Sequence, residues 1–146
     1  MAVYSDTVSE HRVELAPIGR VSSPLIDLAE APKQGDEGAP EAWIVLSPAV
    51  AAGLEGIGAG DELVVLTWLD RASRDVLRVH PRSDISRPPQ GVFATRSPDR
   101  PNPVGLHRVR VEEVDGERLR ISGLEAIDGT PVLDLKPVLS GEIGER

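Results

Sequence analysis

Cysteine is missing from this 146-residue chain, and aromatic residues are scarce: one phenylalanine, one tyrosine and two tryptophans. Without cysteine there is no disulfide framework, no thiolate nucleophile and no cysteine-ligated metal. His11, His80 and His107 stand far apart, with none of the short spacings that gather imidazoles around a metal. His107 falls in an alternating run and reads as an exposed strand side chain. No apolar stretch reaches the length of a membrane span, and residues 1–12 lack the apolar core of a signal peptide. A cytoplasmic protein with no membrane role is therefore expected. Serines are plentiful, yet no Gly-x-Ser-x-Gly elbow occurs. With only Tyr4, Trp43, Trp68 and Phe93, platforms for stacked bases are few. Glu112 and Glu113, adjacent on a strand, would point to opposite faces, which removes them as a glycosidase-like carboxylate pair.

Turn-forming residues and arginine are what the chain has in quantity. Thirteen prolines and fourteen glycines, with no low-complexity run, indicate many short elements joined by turns. The length suits one domain that buries about two thirds of its unfolded surface. Its expected extent is residues 13–140, between a flexible tail at 1–12 and a short tail at 141–146. The net charge of −8 is unevenly spread. Residues 71–110 hold nine arginines against Asp75, Asp84 and Asp99, a local excess of +6 that leaves −14 on the remainder. Such segregation lets one face attract an anionic partner while the whole stays acidic and soluble. It is equally consistent with a set of solvated charges, because sequence does not place Arg71, Arg74, Arg78, Arg82 and Arg87 on one face.

Val13–Val21 alternates apolar and polar residues, as a half-buried strand does. Residues 27–41, acidic and broken by Pro32, Gly35, Gly38 and Pro40, read as a long loop. A short strand at Trp43–Leu46 precedes Ser47-Pro48, an N-cap and a first-position proline that open a helical turn or two to about Leu54. Glu62–Leu69 is a continuous apolar run and reads as a central strand. Arg71–Arg78 is ambiguous, with a short strand preferred, and Pro81–Gln90 is a loop. Leu106–Glu113 and Arg118–Ile121 flank Asp115-Gly116, a hairpin signal. Asp128-Gly129 turns the chain into a last strand at Pro131–Leu135. About seven strands, one short helix and no βαβ alternation point to a mainly β fold, an antiparallel barrel or sandwich. The one glycine cluster, Gly56-Ile-Gly58-Ala-Gly60, precedes a strand instead of joining strand to helix, so it is a turn and not a phosphate cradle.

The most informative stretch is Gly91-Val-Phe-Ala-Thr-Arg-Ser-Pro-Asp-Arg-Pro-Asn-Pro-Val-Gly105. Pro98, Pro101 and Pro103 stiffen it, and Arg96, Arg100 and Asn102 are displayed on that rigid frame. This segment, with PIGRVSSP near the start, APKQGDEG after it and GLEAIDGTPVLDLKP near the end, closely resembles the TrmO family, also called TsaA-like or YaeB-like. The resemblance runs from about Pro17 to Pro137, with four motifs in order. It implies a small antiparallel β-barrel with short peripheral helices. It also implies S-adenosyl-L-methionine-dependent methylation at N6 of threonylcarbamoyladenosine beside the tRNA anticodon, and a cofactor site near a homodimer interface.

Carried across by motif, the cofactor residues would be Pro32, Lys33 and Gln34 (lysine standing where the family has arginine), Leu69 and Asp70, Arg96, Leu106, and Ala126, Ile127, Asp128 and Gly129. Leu69 stands where many relatives carry histidine, which puts any hydrogen bond or proton relay at that position in doubt. Arg96 can fork a carboxylate. Asp70 or Asp128 can pair with an ammonium or ribose hydroxyls, and Leu106 and Ile127 can cover an adenine face. Methyl transfer from an already activated sulfonium gains mainly from alignment. Asn102, beside a proline carbonyl and with Arg100 on the same loop, is the candidate to grip the acceptor amine. Asp134 could take the departing proton, with Lys136 tuning it or contacting phosphate; a plain surface pair of opposite charge is the other reading. A small metabolite or peptide as methyl acceptor, or a non-catalytic binding module on the same barrel, are the competing functions.

Overall fold

The computed structural model describes residues 12–25 and 41–139. The described residues fall into two compact units, one holding 12–16 and Leu69–Val104, the other holding 17–25, 41–68 and 105–139.

The second unit is built on a closed six-stranded antiparallel barrel. Its strands are β1 (Gly19–Ser22), β2 (Ala42–Leu46), β3 (Glu62–Trp68), β6 (Val104–Asp115), β7 (Arg118–Ser122) and β8 (Pro131–Pro137), in the order β1-β2-β7-β6-β3-β8. Alternation decides which side chains enter. Ala42, Ile44 and Leu46 of β2, Val109 and Val111 of β6, and Leu119 and Ile121 of β7 fill the interior. Fully burying a Leu or Ile contributes about 1.5–3 kcal/mol, so this set forms the main store of stability. In β3, Leu63, Val64 and Val65 are all buried, which accounts for an unbroken apolar run where the other strands alternate. The β6–β7 hairpin turns at Gly116, whose φ of 61° is left-handed.

Two irregularities shift the ladders. Glu112 is an extra residue in β6 between Val111, opposite Ile121, and Glu113, opposite Arg120. Leu133 is an extra residue in β8 between Val132, opposite Thr67, and Asp134, opposite Leu66. The bulge takes Glu112 out of strict alternation and brings it 2.9 Å from Ser122 Oγ. Outside the barrel, Arg108 pairs with Glu62, Arg118 with Asp115, and Arg120 with both Glu41 and Glu113. Arg118 also lies over the Trp43 ring.

Several expectations need correction. Pairing begins at β1, not at Val13: Val13 and Leu15 are 83% and 57% exposed, so alternation there has no partner sheet to bury against. The Ser47-Pro48 segment forms a 3-10 helix, Pro48–Leu54, in which the Ser47 side chain makes no capping bond. Arg71–Leu77 is turn and bend, and the strand character is confined to β4 (Arg78–Val79), which pairs with β5 (Gln90–Gly91) in the first unit. Residues 27–40 lie outside the described residues.

Candidate functional site

In the first unit, the proline-stiffened segment is organised from within by its own cations. Leu69 N–H donates to the Pro103 carbonyl at 2.8 Å and closes the base of the excursion between β3 and β6. Arg100 N–H donates to the Ser73 carbonyl, while Ser73 N–H donates to Asp99 Oδ1 at 2.9 Å. The Arg100 guanidinium spends its donors on three carbonyls, those of Ser97 at 2.7 Å, Val92 at 2.8 Å and Thr95 at 2.5 Å. Residues 92–100 are wrapped around that one fork, so Arg100 holds the loop. Val104 N–H donates to the Asn102 carbonyl at 2.7 Å, a tight turn over the buried Pro103 that leaves Asn102 exposed.

Arg74 grips the same turn. Its Nε donates to the Pro101 carbonyl at 2.7 Å and its Nη2 to Asn102 Oδ1 at 2.9 Å. The two acceptors that sequence offered for an amine are thus both engaged by Arg74. What remains to Asn102 is chiefly its amide N–H groups. Arg96, by contrast, is exposed and, among the described residues, has no ion pair or hydrogen-bond partner. Asp70 is exposed and Leu69 half-buried.

In the second unit, the connector from β7 to β8 carries Ala126, Ile127, Asp128 and Gly129. Ala126 and Ile127 are 4% and 5% exposed, and Ala126 packs in the hydrophobic core. Asp128 N–H donates to the Leu25 carbonyl at 2.6 Å and Gly129 N–H to the Val21 carbonyl at 2.8 Å. The Ile127 carbonyl accepts from Thr130 N–H and, at 2.7 Å, from Thr130 Oγ1. Asp128 Oδ1 accepts from Ser23 N–H, which leaves Oδ2 for a ligand hydroxyl or ammonium. Gly129 has φ 83°, a conformation that a side chain would strain. Leu106 on β6 is 40% exposed. Asp134 and Lys136 on β8 lie 3.5 Å apart, both about half-exposed, an ion pair worth little by itself. Pro32, Lys33 and Gln34 lie outside the described residues.

Two features escaped the sequence. Arg74 stood out only as one charge in a basic stretch; its hold on a turn 27 residues away has no local signature. His107, expected to be exposed, is 5% exposed inside the second unit, where Thr67 and Glu125 bond both ring nitrogens. Its parity with Gly105, Val109 and Val111 on β6 was the available sign, because those positions all face inward. Among the described residues, no cluster of His, Asp or Glu could hold a metal, and no helix is long and apolar enough to cross a membrane.

Residues 20–141 match the family described as the tRNA-methyltransferase O N-terminal domain. The chain belongs to the TrmO family. A solved structure of TrmO from Pseudomonas aeruginosa is similar with a TM-score of 0.70 at 29% identity, over 93% of this chain and 61% of that one. An Archaeoglobus fulgidus protein named a probable S-adenosyl-L-methionine-binding protein is 47% identical over 88% of this chain, which spans 34% of that relative. A Methanothermobacter thermautotrophicus protein of the same name is 43% identical over 89% of this chain and 93% of its own length. The chain therefore spans about a third of one relative and three fifths of the Pseudomonas TrmO, but nearly all of another. The TrmO match takes in residues of both units, including the arginine-wrapped loop and the Ala126–Gly129 connector.

Proposed function

We propose that this TrmO-family chain is a cytoplasmic S-adenosyl-L-methionine-dependent methyltransferase whose acceptor is the N6 amine of threonylcarbamoyladenosine beside the tRNA anticodon. The observation that carries the reading is the division of labour among three loop arginines. Arg74 and Arg100 use their forks to hold the chain, whereas Arg96 stands exposed with its fork unengaged among the described residues. A proline-stiffened loop that presents the Arg96 fork suits a carboxylate-bearing ligand.

The donor set fits the proposed cofactor in kind. Arg96 supplies a forked contact for a carboxylate. Asp70 and the Oδ2 of Asp128 supply acceptors for an ammonium or a ribose diol. Leu106, 40% exposed, supplies an apolar surface for an adenine face, with the backbone of Ala126–Gly129 to read its edge. S-adenosyl-L-methionine brings an electrophilic methyl group on a sulfonium, so the protein's share of the work is alignment, worth several kcal/mol or more. With Oδ1 held by Arg74, Asn102 offers donors, and in this reading it orients a carbonyl or carboxylate of the methyl acceptor. The amine loses a proton as it gains the methyl group. Asp134, whose Oδ1 accepts from Leu135 N–H at 2.9 Å, is the carboxylate assigned to receive it, with Lys136 alongside. We further propose a homodimer, for which light scattering should return twice the 15.6 kDa of one chain.

The deciding experiment offers methyl-labelled S-adenosyl-L-methionine together with tRNA that carries or lacks the threonylcarbamoyl group. Label should enter only the carbamoylated tRNA. Label in neither tRNA, with the cofactor still bound, would move the acceptor to a small metabolite or peptide. Absence of cofactor binding would reduce the chain to a binding module on the same barrel.

A further inference from the structure

One buried polar group has no part in the chemistry above. His107 Nε2 lies 2.7 Å from Thr67 Oγ1, and Nδ1 lies 2.6 Å from Glu125 Oε1. An ionised carboxylate only accepts, so Nδ1 carries a proton whether the ring is neutral or charged. The Thr67 hydroxyl can donate to Nε2 or accept from it. The bond to Glu125 therefore holds in either state of the ring. Gly105 makes the room: a Cβ there would collide with Thr67 Oγ1 and lie 2.6 Å from His107 Nε2. Thr67 on β3 and Gly105 and His107 on β6 are thus spent on fixing one carboxylate. A buried pair of this kind is a weak source of stability, so its gain is geometric.

Glu125 is the residue before Ala126. The second half of the β7–β8 connector is tied by the amides of Asp128, Gly129 and Thr130 and by the Asp128 carboxylate. In the first half, among the described residues, no backbone hydrogen bond reaches Leu124, Glu125 or Ala126. The Glu125–His107 bond is the polar tie there, beside the packing of buried Leu124 and Ala126. We infer that His107 is a positioning residue: through Glu125 it fixes the start of the Ala126–Gly129 segment against which the cofactor's adenosine part is read. This inference rests on assigning S-adenosyl-L-methionine to that segment.

Two substitutions separate the halves of the network. His107→Asn puts an amide near the position of Nδ1, keeping Glu125 and giving up Thr67. His107→Gln reaches the position of Nε2, keeping Thr67 and giving up Glu125. Both variants should melt below the parent protein. In calorimetry with S-adenosyl-L-methionine, His107→Gln should lose about tenfold or more in affinity, the usual scale for a lost charge-assisted or supporting bond. His107→Asn should stay within about threefold of the parent on the same scale. In the cofactor-free protein, hydrogen exchange at the Asp128 and Gly129 amides, which donate to the Leu25 and Val21 carbonyls, should quicken in His107→Gln and not in His107→Asn. Affinity losses that track melting temperature equally in both variants, or no loss in either, would overturn the inference. A parent protein that fails to bind the cofactor would remove the functional assignment. The exchange contrast would then still decide whether His107 fixes the segment, and equal exchange in the two variants would refute it.

Discussion

Gly105→Ala is the substitution for which the structure gives the most definite magnitude. A Cβ at that position has nowhere to go: Thr67 Oγ1 and His107 Nε2 occupy its place, and both belong to a fully bonded buried network. Forcing an extra methyl into a packed interior costs about 1–3 kcal/mol. Displacing the hydroxyl or the imidazole leaves a buried polar atom without its partner, at about 1–3 kcal/mol more. The total of about 2–6 kcal/mol is a large part of the roughly 5–15 kcal/mol typical of a domain. At about 2–4 °C per kcal/mol for a chain of this size, melting should fall by about 4–24 °C. Circular dichroism on heating reads this directly. Gly58→Ala serves as the control, because nothing lies within 4 Å of its added Cβ, and it should change stability by less than about 0.5 kcal/mol. Adding Thr67→Ala to Gly105→Ala should recover part of the loss, a non-additivity of about 0.5–3 kcal/mol expected of touching sites. If Gly105→Ala melts like Gly58→Ala, the network is not packed as described.

Removing the Arg100 fork should open residues 92–100 locally, by about 1–3 kcal/mol, with little change in global melting. Hydrogen exchange would show it, and Arg100→Lys should not rescue, since a point charge cannot serve three carbonyls in one plane. Arg74→Ala releases the Pro101 carbonyl and Asn102 Oδ1 and should lower kcat while leaving cofactor affinity nearly unchanged; a loss confined to affinity would remove Asn102 from the acceptor side. The Asp84 carboxyl is held below its ordinary 3.8 first by the Ser86 hydroxyl, then by the Ser86 N–H. A lowered folded-state value means the contribution is present above about pH 4 and is lost as pH falls through the folded value. A carbon-detected NMR titration should place the midpoint below 3.8, and Ser86→Ala should raise it.

Much of the barrel was readable because period-two alternation in β2, β6 and β7, the apolar run of β3 and the Asp115-Gly116 turn all speak locally. What could not be read depends on distant partners. Alternation at Val13–Leu15 looks the same as in β1, yet only residues from Gly19 have strands on both sides. The bulges at Glu112 and Leu133 follow from register between strands, which no window of sequence contains. At the loop, prolines announced rigidity and the arginines announced chemistry. Which arginine binds the chain and which faces solvent was decided by carbonyls that carry no sequence signal. Arg100, a candidate for chemistry, is spent on three of them. His107 was hidden for a related reason: its partners, Thr67 and Glu125, lie 40 positions before it and 18 after it.

The central proposal is that Arg96 is an exposed cation through which this TrmO-family chain takes S-adenosyl-L-methionine. Isothermal titration of the cofactor into the parent protein and into Arg96→Ala tests it most directly. The expected result is saturable binding by the parent and an affinity lower by about tenfold to a hundredfold in the variant, as for a lost forked charge-assisted contact. Equal affinity in the two proteins, or no binding by the parent, would contradict the account.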